Sequence, residues 1–147
     1  MRRYAVVITA LLLLSLTVNH VTAQTRSVFW ERWDVSIDNV DTTNNLFDVT
    51  EVYDVRFTGT FRFGSRVISD TNLDRISNVR IYDEGRLLQA NCSEQPGTYC
   101  VTNVVEGTSI VYYFSEQVTN ATKNIRIEFT VSGALRSYEG GDQLWWS

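Results

Sequence analysis

The sequence predicts an all-β fold, an antiparallel β-sandwich, and three observations predict it. Apolar and polar residues alternate with a period of two through most of the chain. After residue 23 no stretch keeps apolar residues at i, i+3, i+4 and i+7 for long. Polar and glycine-bearing turns separate short apolar-patterned runs, as they do between the strands of a sandwich.

The elements follow in order. Trp33, Val35 and Ile37 alternate with Asp34, Ser36 and Asp38. Asp41-Thr42-Thr43-Asn44-Asn45 is a polar turn. The clearest strand comes next: Phe47, Val49, Tyr53, Val55 and Phe57 share one parity, and Asp48, Thr50, Asp54 and Arg56 share the other. That pattern gives a core face and a wet face. Thr60 to Ile68 continues after Gly59, with a bend expected at Gly64. Ser69 to Arg75 reads as a short helical turn. Ile76 to Tyr82 is a strand, and Asp83-Glu84-Gly85 turns it into a strand over Arg86 to Ala90. Tyr99 to Val105 and Thr108 to Phe114 flank a two-residue hairpin loop, Glu106-Gly107. Ile125, Ile127, Phe129 and Val131 alternate in the longest late strand, and Leu144-Trp145-Trp146 closes the chain. The expected sandwich is immunoglobulin-like or related.

The 147 residues suit one domain preceded by a leader. Arg2 and Arg3 precede an apolar run from Ala5 to Leu16, and Val21-Thr22-Ala23 offers a peptidase site. Residues 1–23 therefore read as a signal peptide, and residues 24–147 as a secreted or extracytoplasmic domain. The alternative is an uncleaved membrane anchor, although about twelve apolar residues fall short of the roughly twenty that span a bilayer. Without Arg2 and Arg3, 11 basic residues face 17 acidic ones. No basic stripe exists, so nucleic acid is not expected as a partner. The acidity serves solubility.

Cys92 and Cys100 are the only cysteines. In an oxidising compartment such a pair forms one disulfide around the Pro96-Gly97 turn. Free thiols and a redox or metal pair are the alternatives. The only histidine, His20, lies within the signal sequence. Serine or cysteine catalysis then lacks its usual base, and zinc lacks its usual ligands. The single lysine, Lys123, falls in a polar turn before a strand. Phosphate loops and dinucleotide fingerprints are absent. No catalytic residue, metal or cofactor is expected.

Four features remain as candidates. Glu51 shares the apolar parity of Val49 and Tyr53, so it faces inward and needs a partner. Arg66 or Arg62 is the nearest arginine for that ion pair. Asp38, Asp41, Asn44 and Asn45 are oxygens at one turn, where turn formation is expected ahead of calcium binding. Trp30, Trp33, Trp145 and Trp146 sit at the two ends of the mature chain. If the terminal strands pair, these rings come together and form a packing face, an interface or a sugar platform. Asn91-Cys92-Ser93 and Asn120-Ala121-Thr122 fit the glycosylation acceptor pattern.

A family resemblance rests on several of these motifs in sequence. They are Trp33-Asp34-Val35-Ser36-Ile37, the run from Val49 to Phe57, Phe61 to Ile68 with Arg66, and Ile76 to Tyr82. The ending is the most specific: Ile125 to Ser132, Gly133-Ala134-Leu135, Tyr138, Asp142 and Leu144-Trp145-Trp146. Their order resembles the bacterial predicted membrane proteins built on a domain of unknown function, number twenty-two-oh-seven. The resemblance implies an extracytoplasmic β-domain, the N-terminal part of such a protein, with no catalytic residues to carry over. Ser69 stands where that family tends to have proline. Relatives continue past Trp146-Ser147, so the expectation is a free-standing version or a piece whose membrane-anchored C-terminal region is missing. The function expected is a non-catalytic interaction module with a protein or glycan partner. The alternatives are a carbohydrate-binding domain using its tryptophans and a carboxylate-based hydrolase.

Overall fold

The computed structural model describes residues 25–144, and these residues contain strands, turns and no helix. The strands are β1 (Ser27–Asp41), β2 (Leu46–Thr58), β3 (Thr60–Ile68), β4 (Arg75–Asp83), β5 (Arg86–Leu87), β6 (Gln89–Ala90), β7 (Thr98–Val104), β8 (Gly107–Thr119), β9 (Thr122–Ser132), β10 (Leu135–Tyr138) and β11 (Gly141–Leu144). One sheet has the order β1-β2-β9-β4-β5, and the second has the order β3-β8-β7-β6. β10 and β11 form a separate hairpin. Every pairing is antiparallel except the short parallel one between β6 and β7. The fold is an antiparallel β-sandwich, and residues 1–23, expected from the sequence to be a signal peptide, lie outside the described residues.

The core follows from strand parity. Phe47, Val49, Tyr53, Val55 and Phe57 of β2 are buried, as are Ile125, Ile127, Phe129 and Val131 of β9. Register puts Val49 beside Phe129 and Tyr53 beside Ile125, so two inward rows form one apolar surface. Ile110, Tyr112, Phe114 and Val118 of β8 meet it from the other sheet within the same core cluster. Each fully buried side chain of this size contributes about 1.5–3 kcal/mol.

Five local expectations need correction. Ser69 to Arg75 is not helical. Leu73 N–H bonds the Asp70 carbonyl at 3.0 Å, and Asn72 takes φ 65°, left-handed backbone that interrupts a helix. Gly64 does not bend β3. The irregularity lies between Phe61 and Phe63, while Gly64 stays paired with Tyr112. A Cβ at Gly64 would come within 2.5 Å of the Tyr112 ring, so the glycine makes room for a side chain. The loop between β7 and β8 is Val105-Glu106, because Val104 pairs with Gly107. A Cβ on Gly107 would meet the Ile68 carbonyl at 2.2 Å, so this glycine marks close backbone packing at a strand start. Arg86 to Ala90 is two strands. Leu88 between them is buried, and there the chain crosses from the first sheet to the second. Lys123 lies within β9, not in a turn.

The turn at Glu84-Gly85 joins Asp83 to Arg86 as read from the sequence. Both of its residues have positive φ, 51° and 77°, which matches the twist a two-residue hairpin requires.

Candidate interaction surface

β1 is an edge strand of fifteen residues, and all but the last are exposed. Trp30 and Trp33 are three residues apart, so an ideal strand would send them to opposite faces. A bulge prevents this. Trp30 pairs with Val55 and Arg32 pairs with Asp54, which leaves Glu31 as the extra residue. Trp30 and Trp33 then share a face, with ring centroids 6.0 Å apart. Both rings pack on Tyr53, at 5.1 and 5.7 Å.

Val28, Val35 and Ile37 lie on that face too. Their partners on β2 are Phe57, Glu51 and Val49, all buried. The stripe therefore has the parity of the core but extends past what the second sheet covers. Trp30 remains 49% exposed and Trp33 55%. The opposite face of β1 is charged and locally paired. Arg32 Nε lies 2.7 Å from Asp54, Arg56 lies 3.3 Å from Glu31, and the Arg56 guanidinium sits over the Phe29 ring.

Glu51 supports the stripe from beneath. It is 1% exposed. Arg66 of β3 donates to it from Nε and from Nη2, each at 3.1 Å, and the Tyr53 hydroxyl also donates to it. The Arg66 guanidinium lies 5.4 Å from the Trp33 ring centre. One arginine thus ties a buried carboxylate to an exposed indole and to the second sheet. The structure brings Glu51 together with Arg66, not Arg62.

Trp145 and Trp146 lie outside the described residues. The terminal strands do not pair among the described residues: β1 pairs with β2, and β11 with β10. Leu144 is held opposite Leu135. Leu135 in turn exchanges hydrogen bonds with the Asn45 side chain at the β1–β2 turn. Trp30 and Trp33 sit in the other half of β1, away from that turn.

A second buried pair was not anticipated. Lys123 Nζ lies 2.5 Å from Asp83, and Ser115 N–H donates to the other Asp83 oxygen at 2.7 Å. Both residues are buried. Extending the alternation of Ile125 and Ile81 by one step gives Lys123 and Asp83 the inward parity, so the signal was present. Nearby Tyr112 is enclosed, and burial pushes its phenol up to about 12, with Asp83 and Glu51 adding to the effect.

The turn oxygens are engaged locally. Asp41 accepts from the Asn44 side chain and from the backbone N–H groups of Asn44 and Thr43, which together hold its carboxyl below the usual range. Among the described residues no cluster of His, Cys, Asp and Glu is placed to hold a metal. Cys92 and Cys100 are joined as a disulfide. Asn91 and Asn120 are exposed, and the Asn120 side-chain oxygen accepts from Gly59 N–H at 2.7 Å.

The model of a known family, the N-terminal domain of the predicted membrane proteins DUF2207, matches residues 34–147. The chain belongs to this family. Among the described residues of this DUF2207 domain, no helix is long and apolar enough to cross a membrane. No curated protein matches it. Among solved structures it is similar to the pilus 2b backbone protein of group B streptococcus, at 11% identity and a TM-score of 0.43. That match covers 68% of this chain and 43% of the pilus protein, so the chain spans less than half of that protein's length.

Proposed function

We propose that this DUF2207 domain is a non-catalytic extracytoplasmic interaction module that docks a partner along β1. The observation that carries the reading is the exposed core-parity stripe on an edge strand of fifteen residues. A free strand edge offers unpaired N–H and C=O groups, and a flanking apolar stripe adds contact area. Native edges are usually shortened or covered, and among the described residues β1 is neither. The extracytoplasmic placement is supported by the signal-sequence pattern and by the Cys92–Cys100 disulfide. Glu51 does not serve as a general acid in this reading, because Arg66 and Tyr53 occupy its oxygens in a closed site.

The test is a photo-activated cross-linking residue in place of Trp33, with Leu87 on β5 at the opposite edge as the comparison. Illumination in the producing cell is expected to yield a defined product from position 33 and none from position 87. Equal products from both edges, or none from either, would contradict the reading.

A second reading is a glycan platform on Trp30 and Trp33, favoured by two exposed indoles 6.0 Å apart and tilted by 35°. Tryptophan fluorescence titrated with a glycan panel tests it. A saturable change lost in Trp33→Ala supports it, and an unchanged spectrum rejects it.

A further inference from the structure

The β1 edge can be read outward from its central tryptophan in both directions. With Glu31 set aside as the bulged residue, the order toward the C-terminus is Asp34, Val35, Ser36, Ile37. Toward the N-terminus it is Arg32, Trp30, Phe29, Val28. Counted from Trp33, the apolar-stripe residues fall at the same steps on both sides. The first step outward carries opposite charges, Arg32 and Asp34, which lie 3.5 Å apart within one chain and stay largely exposed.

We infer that the partner of this edge is a second copy of the same chain, paired antiparallel through β1 about a two-fold axis at Trp33. The inference rests on the reading of β1 as the docking edge. In this register Trp33 faces its own copy, Arg32 faces the copy's Asp34, and Trp30 faces the copy's Val35. Phe29 faces Ser36, and Val28 faces Ile37. Each core-parity residue meets another, and each central charge meets its opposite twice over, as an isologous two-fold contact requires. The bulge at Glu31 creates this match. Without it Trp30 would change faces and stand opposite a polar position.

The axis stands perpendicular to the sheet, so the stripes of both copies lie on one side of a continuous sheet. The β3 strands and their Arg66 residues flank the shared stripe. The contact runs from Val28 to Ile37, shorter than the roughly 20–30 residues a side of a standard stable interface. It therefore belongs with weak, concentration-dependent associations.

Charge reversal tests the register. Arg32→Asp gives a chain with two acids at the central steps, and Asp34→Arg gives one with two arginines. Sedimentation of the full chain over a wide concentration range is expected to show self-association. Each variant alone should associate about tenfold or more weakly, since like charges then meet twice. An equimolar mixture of the two should regain the association, because acid again faces arginine at both steps. Recovery on mixing also shows that both variants are folded. A chain that stays monomeric, or variants that associate like the parent, would overturn the inference. A Trp33 cross-link of some mass other than twice the chain would overturn it too, while leaving β1 as the docking edge.

Discussion

Glu51 carries the most stringent requirement of any single residue in the domain. A carboxylate at 1% exposure persists because Arg66 and Tyr53 satisfy both its oxygens. Glu51→Gln removes the charge and leaves Arg66 without its counter-ion. Arg66 reaches water in part, so the loss is expected to be about 2 kcal/mol, which lowers the melting temperature by several degrees. An unchanged thermal melt would contradict the buried pair. Asp83 offers a second test. Asp83→Ala leaves Lys123 buried and unpaired at a cost of about 3 kcal/mol, and adding Lys123→Met should return most of it. Calorimetry of the single and double variants separates these outcomes.

The inward parity of Glu51 was legible in the sequence because its neighbours on β2 alternate without interruption. The choice of Arg66 over Arg62 was not. Both arginines lie on β3, so it depends on where that strand passes Glu51 and on the register shift between Phe61 and Phe63, long-range facts that local patterning does not encode. Tyr112 adds a pH signature. Its folded value of about 12 lies above the ordinary 10.0, so the buried neutral phenol adds stability that is complete below pH 10. That contribution fades as pH rises from 10 through about 12. Alkaline unfolding followed at 222 nm should be less steep in Tyr112→Phe across that window. Identical profiles would contradict a buried phenol.

At the scale of elements, strands with clean alternation were readable, and the corrections gather where the backbone departs from it. β2 and β9 follow their apolar parity from end to end. β1 does not, because Glu31 is bulged. The face shared by Trp30 and Trp33 is therefore invisible to a period of two. Two glycines depart from their local signal in the same way. Gly64 and Gly107 have the sequence signature of a bend and a loop, but each sits in a paired strand where a neighbouring ring or carbonyl fills the space of a Cβ. Gly64→Ala is expected to cost about 1–3 kcal/mol by forcing the Tyr112 ring aside. A melting temperature equal to the parent would show that the ring has room to move.

For the whole molecule, two sheets enclose a core that β2, β9 and β8 dominate, and β1 extends beyond it. That overhang explains how one strand has core-like composition and surface-like exposure. The Cys92–Cys100 disulfide stands apart from β1, closing the loop between β6 and β7. Its reduction is expected to remove about 2.5 kcal/mol in the chain-entropy model, and to leave the β1–β2 pairing intact. Thermal melts with and without reductant measure the first. Loss of β1–β2 amide protection on reduction would contradict the second.

Amide hydrogen exchange along β1 tests the central claim most directly, comparing dilute chain with the same chain at high concentration. In a docking edge that a second copy fills, the amides between Val28 and Ile37 exchange fast in dilute solution and slow markedly at high concentration, while those of β5 stay as they were. Exchange along β1 that is the same in both conditions would contradict the account.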